Sequence, residues 1–134
     1  MSGLLDTYRG TVYPWHCDHM NHMNVMWYVG KFDEATWNLM SHLGMAAIDQ
    51  RISYQCELHA GDTVAVRTGV VAVTDKKIIF FHEMRNADTG EVSAITLLTG
   101  IHLDTQTRKS CHLPKATVDK ARELVVAYEL PWKP

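Results

Sequence analysis

One stretch governs what this chain can become. From Val25 onward, Val25, Tyr28, Val29, Phe32, Ala35, Thr36, Leu39, Met40 and Leu43 recur at steps of three and four residues, the pattern of a single long amphipathic helix. Asn24 predicts its N-cap and Gly44 the residue that ends it. Nearly everything else reads as strand. Thr7–Tyr13, Ile52–Leu58, Thr63–Val73, Ile78–Arg85 and Val92–Leu103 are rich in β-branched and aromatic residues, with turn chemistry at His59–Asp62, Thr74–Lys77 and Asn86–Gly90. Ala116–Val126 predicts a short C-terminal helix. A strand, a long helix and then four strands in meander is an α+β layout. One antiparallel sheet packs on one helix, in a single domain over residues 1–134.

The far side of the long helix is unusual. At about 100° per residue, Trp27, Gly30, Glu34, Trp37 and Ser41 gather opposite Phe32. Two tryptophans do not suit a solvated face, so the helix is expected to be covered on both sides, by its own domain and by a partner or ligand. Size points the same way. A chain of 134 residues has one core and little room for a ligand cavity inside it, so a site is expected to need a second subunit.

Composition removes several function classes. Lys plus Arg is 13 against 15 Asp plus Glu, a net charge of −2, without the basic excess of a nucleic-acid binder. No apolar run approaches the roughly 20 residues of a membrane span, and Met1–Asp6 lacks the features of a signal peptide. Cys17, Cys56 and Cys111 are too scattered for a disulfide framework. The expectation is a cytoplasmic protein with no membrane or nucleic-acid partner.

Chemistry concentrates between Trp15 and Asn24. Three histidines, a carboxylate and two amides precede a helix N-terminus, where unpaired backbone N–H groups favour negative charge. A carboxylate facing such amides is the constellation of acyl transfer.

Asp18-His19-Met20-Asn21-His22-Met23-Asn24, followed by Tyr28 and Phe32-Asp33-Glu34-Ala35, resembles the signature of hotdog-fold acyl-CoA thioesterases of the 4-hydroxybenzoyl-CoA thioesterase type. Leu58-His59-Ala60-Gly61-Asp62 and Leu113-Pro114 resemble later motifs of that family in the same order. Asn21 stands where the family has glycine, Val25 where it has a second asparagine and Thr36 where it has arginine. Asparagine tolerates positive φ, so the turn can survive. The resemblance implies a hotdog fold, an antiparallel sheet wrapped around one central helix, in a homodimer or a dimer of dimers. It implies acyl-CoA hydrolysis without cofactor or metal. Asp18 would be nucleophile or general base, the Val25 N–H the oxyanion donor, and His22 a residue orienting the loop or meeting substrate. Trp15, Asn24, Tyr28 and Glu34 would line the substrate site, and Lys76 and Lys77 would meet CoA phosphates.

Each assignment has a plainer rival. Asp18 alone would be a turn residue and His22 a structural hydrogen-bonder. His16, His19 and His22 share a face only on a helix, and they precede this one, which disfavours a metal site. The five other histidines read as surface or satisfied groups. Trp27 and Trp37 lean toward an interface or an acyl pocket, and Glu34 is a second-choice catalytic acid. Two rival functions are a hotdog enoyl-CoA hydratase or dehydratase, disfavoured because no proline-rich loop follows His22, and a non-catalytic module whose tryptophan-lined groove holds a small ligand or cation.

Overall fold

A computed structural model describes residues 3–40 and 45–132. Strand β1 (Leu5–Thr11) is followed by a single 3₁₀ turn (Pro14–His16) and the long helix α1 (Val25–Met40). Four strands come next: β2 (Met45–Tyr54), β3 (Thr63–Val73), β4 (Lys77–Asn86) and β5 (Val92–His102). The last helix is α2 (Lys115–Glu123). The expected positions of Ser41, Leu43 and Gly44 on and after the helix lie outside the described residues.

The strands form one antiparallel sheet in the order β1-β3-β4-β5-β2. This corrects the expected meander. Only β3, β4 and β5 follow one another, whereas β2 crosses to the far edge and pairs with β5, Ile52 opposite Thr96 and Gln50 opposite Leu98. Strand β2 also starts at Met45 and stops at Tyr54, rather than spanning Ile52–Leu58. Its first half, Met-Ala-Ala-Ile-Asp-Gln-Arg, lacks strand-like alternation because an exposed edge strand does not need it.

Helix α1 crosses one face of the sheet. Phe32 and Ala35 are fully buried against Val64, Val66, Met84 and Ala94, while Met40 packs with Val70, Ile78, Phe80 and Leu98. Alternate residues of β4 point the other way, and the chain after α2 covers them. Val126 N donates to the Val70 carbonyl, Tyr128 stacks on Phe81 at 4.2 Å, and the Arg51 guanidinium lies 5.0 Å from the Trp132 ring. The sheet is thus covered by α1 on one side and by a C-terminal strap on the other.

Candidate active site

The segment between the 3₁₀ turn and α1 is a tight hairpin. Asp18 N donates to the His22 carbonyl (3.2 Å), Asn21 N to Asp18 (3.0 Å), and Asn24 N to His16 (2.9 Å). Closing it needs a left-handed residue, and Asn21 supplies it at φ 63°, as expected of the asparagine that replaces glycine. Met23 N donates to the Leu58 carbonyl at 2.7 Å, which ties the hairpin to the chain leaving β2. Beside it, Asp62 Oδ2 accepts from His59 N at 2.8 Å and Gly61 adopts φ 95°, forming the expected turn.

Asn24 does two jobs. Its Oδ1 accepts from Met26 N at 3.0 Å, the N-cap bond predicted from sequence, and its Nδ2 donates to Asp18 Oδ2 at 2.9 Å. Asp18 Oδ1 accepts from Met20 N at 2.9 Å. The Asn24 amide foremost, then the Met20 N–H and the nearby His22, hold the Asp18 carboxyl below the usual carboxylate range. Asp18 is therefore ionised at neutral pH and tied through Asn24 to the start of α1. Among the described residues the Val25 N–H makes no hydrogen bond, as the first amide of a helix is free to do.

A chain of charge continues behind Asp18. His22 Nε2 is 3.8 Å from Asp18 Oδ1, and its Nδ1 is 3.6 Å from Glu57 Oε1; His59 stands 3.4 Å from Glu57 and 3.9 Å from Asp62. His22 is thus set between two carboxylates. Glu57 was missed by the sequence reading because its only signal is a place one residue before Leu58, whose carbonyl anchors the hairpin.

The other candidates separate. Trp15 is 68% exposed and stacks on Tyr13 at 4.6 Å beside the hairpin. Tyr28 is only 4% exposed, its ring against Tyr54 and its hydroxyl 3.5 Å from the Cys56 carbonyl, so the structure makes it part of the wall rather than of the surface offered to a substrate. Trp27 packs on His16 at 4.3 Å, inside the protomer rather than outward. Its side of α1 is closed by polar contacts with β1: Lys31 Nζ reaches Tyr8 Oη (3.2 Å) and Asn38 Nδ2 reaches the Thr7 carbonyl (2.6 Å). Glu34 belongs to that side too, where its charge acts on Tyr8, His16 and Lys31 and not on Asp18. Lys76 and Lys77 lie at the opposite end of β3 and β4, roughly 30 Å from the hairpin at strand spacing, so one protomer does not bring them to Asp18. His16 accepts from Tyr13 N through Nδ1 (3.0 Å) and is buried. With His16 turned inward, the three loop histidines do not converge. No group of three His, Cys, Asp or Glu suited to a metal occurs among the described residues.

The family's arginine position, Thr36, has its own partner here. Thr36 Oγ1 bonds the Phe32 carbonyl (3.1 Å) and His82 Nε2 (2.8 Å), and His82 Nδ1 meets Thr68 Oγ1 (2.6 Å). Burial pushes the His82 imidazole down to about 3, so it is neutral and structural.

Between α1 and β2 runs a cleft of about 480 Å³ that starts at Met26 and is lined by Val29, Gly30, Trp37, Met40 and Leu98. No Cβ contact would be met at Gly30 within 4 Å, so in the protomer that face is open, and Trp37 is 58% exposed on it.

Residues 12–121 match the thioesterase-like superfamily. The chain belongs to that superfamily. Among curated proteins, an L-carnitine dehydrogenase/betainyl-CoA thioesterase of Agrobacterium fabrum is 26% identical over 110 residues, covering 74% of this chain and 22% of that protein. The chain therefore spans about a fifth of that relative's length. A candidate thioesterase of Pseudomonas putida KT2440 superposes with a TM-score of 0.81 at 26% identity, over 91% of this chain and 85% of the other. A Staphylococcus aureus protein in complex with CoA gives a TM-score of 0.84 at 18% identity, over 96% and 89%. The superfamily's hotdog fold is the fold seen here: a five-stranded antiparallel sheet around α1.

Proposed function

We propose that the chain hydrolyses acyl-CoA thioesters to free acid and CoA. The carrying observation is an ionised Asp18, fixed by Asn24 and Met20, just ahead of a helix whose first N–H is free. The Val25 N–H polarises the thioester carbonyl and stabilises the oxyanion as charge develops. Asp18 attacks that carbon directly or takes the proton of an attacking water. His22, between Asp18 and Glu57, orients the hairpin. The CoA bound to the Staphylococcus structure and the betainyl-CoA in the Agrobacterium relative's name support this substrate class.

The working unit is a homodimer of single-domain chains. Support comes from β2, an edge strand with one side unpaired that carries exposed Ile48, and from exposed Met26, Val29 and Trp37 of α1 along the adjoining cleft. A second copy alongside β2 would roof the cleft and bring its own elements toward Asp18. Three free cysteines suit the reducing cytoplasm.

The test is a panel of short, branched, aromatic and long acyl-CoAs read with a thiol reagent. Steady thiol release from at least one member is the expected result. Silence across the panel contradicts the reading, and hydration of crotonyl-CoA without thiol release points to the hydratase instead.

A further inference from the structure

A row of polar side chains crosses the α1-facing side of the sheet. Thr68 on β3 stands opposite His82 on β4, and His82 opposite Thr96 on β5. Thr7 of β1 joins the row through Thr68 Oγ1 at 2.8 Å, and all four residues are buried. On either side of the row the same strands turn apolar. Val66, Met84 and Ala94 belong to the cluster that holds Met23, and Val70, Phe80 and Leu98 to the cluster that holds Met40. Buried polar atoms need partners, and at both ends of the cleft's width the row reaches a wall, as Thr36 on α1 and Gln50 on β2. The rest of the lining is apolar apart from Asp33, which stands exposed to solvent.

The bonds of Thr36 and Gln50 determine what each has left. Thr36 Oγ1 lies 2.8 Å from His82 Nε2 and 3.1 Å from the Phe32 carbonyl. When His82 Nε2 carries the proton, it donates to Thr36, and Thr36 donates to Phe32; in the other tautomer Thr36 donates to His82. Either way the Thr36 hydrogen is used inside the protein, and the hydroxyl can only accept from a ligand. Thr96 Oγ1 donates to the Arg51 carbonyl at 2.9 Å, so it must accept from Gln50 Nε2 at 3.3 Å. That fixes the Gln50 amide, whose Oε1 and second N–H have no partner among the described residues. A chain lying along the cleft thus passes two acceptors and one donor. A plain hydrocarbon would strip water from them without return, and a carbonyl or ether could take only the Gln50 N–H. A hydroxyl donates to Gln50 Oε1 or Thr36 Oγ1 and accepts from Gln50 Nε2. Its place on the chain follows from the helix. Thr36 is 11 residues past Val25, about 16 Å along the axis, and its side chain leans back toward the N-terminus. With the thioester carbonyl at the Val25 N–H, the hydroxyl falls far beyond the β-carbon, toward the end of a medium-length chain.

We propose that the cleft receives a medium-length acyl chain with a hydroxyl near its far end, and that Gln50, with Thr36 opposite, is the residue that selects it. This rests on the assignment of Asp18 and Val25 as the hydrolytic centre. The test compares 8-hydroxyoctanoyl-, 10-hydroxydecanoyl- and 12-hydroxydodecanoyl-CoA with their terminally fluorinated counterparts, which are close in size and polarity but have no hydrogen to donate. The wild-type kcat/KM is expected to favour the hydroxyl by about five-fold or more for at least one length. Gln50→Met and Gln50→Ala are each expected to bring that ratio near one. The free hydroxy acids, followed by the fluorescence of Trp37 on the cleft wall, are expected to bind more tightly than the fluoro acids, and to lose that advantage in both variants. Equal turnover within every pair, a preference that survives both substitutions, or cleavage of other acyl-CoAs but none of these overturns the proposal. If no acyl-CoA at all is cleaved, the hydrolytic assignment fails by itself, and the free-acid titration decides the cleft: a hydroxyl preference that needs Gln50 upholds the site, and equal binding or none removes it.

Discussion

Asn24 links two properties that are usually separate, the start of a helix and the charge state of an acid. Its Oδ1 caps α1 through Met26 N and its Nδ2 holds Asp18. Replacing it with alanine is expected to lower stability by about 1 kcal/mol through the lost cap. The same change removes the principal donor that favours the charged carboxylate, so the Asp18 pKa rises toward its ordinary value. If Asp18 is the reacting group, the acid limb of kcat/KM is expected below the usual carboxylate range in the wild type and at higher pH in Asn24→Ala; a profile that does not move would separate Asp18 from the chemistry. A different pH effect belongs to His82. Its folded pKa of about 3 lies below the unfolded value of 6.5, so as pH falls the unfolded chain takes up the proton first. Stability is full above pH 6.5 and is lost progressively from there toward 3. The buried His16 adds in the same direction. Urea midpoints between pH 7 and 5 are expected to fall, and His82→Gln to flatten that slope. At this scale the sequence was informative where contacts are local: the Asn24 cap and the left-handed Asn21 both follow from neighbours within the hairpin. It was silent on Glu57 beside His22 and on Thr36 beside His82, pairs that only tertiary folding makes.

Among the elements, α1 was legible because its period is intrinsic, and β3 to β5 because buried strands advertise themselves with β-branched residues. Strand β2 was not, since an edge strand tolerates Asp49, Gln50 and Arg51, and its pairing with β5 joins residues 40 to 57 positions apart. Nor did the pattern reveal that the two tryptophans of α1 part company, Trp27 onto His16 and Trp37 onto the open cleft. The outer face of the sheet holds a second non-local feature. Burial raises the Glu83 carboxyl, but donors from Arg85, Tyr128 and Arg67 outweigh it and bring the group down to about 2. Those donors come from β3, β4 and the C-terminal strap, so Glu83 fastens three segments. Glu83→Gln is expected to cost ~1–3 kcal/mol in chemical denaturation, reduced from a fully buried pair because both arginines are partly exposed. A loss below about 0.5 kcal/mol would show that the strap is held by its other contacts, the Phe81–Tyr128 stack, the Val126–Val70 hydrogen bond and the Arg51–Trp132 contact, rather than by Glu83.

For the whole molecule, the sheet order determines what a second copy can do. Among the described residues β1 and β2 are the sheet's edges, and exposed Met26, Val29 and Trp37 of α1 lie on the β2 side. Light scattering is expected to give twice the monomer mass, and Ile48→Arg, on the β2 edge, to shift the population toward monomer and lower turnover with it. A fully active monomer would contradict the shared cleft. The fold and the acidic hairpin could be read in advance from motif and period; the distance of Lys76 and Lys77 from Asp18 could not, because it depends on which ends of the strands meet. The central claim, that Asp18 performs the hydrolysis, is tested most directly by kcat of Asp18→Asn on the best substrate of the thiol-release panel. A folded variant slowed by roughly 10²–10⁴ is the result this account predicts, and near-wild-type turnover is the result that would contradict it.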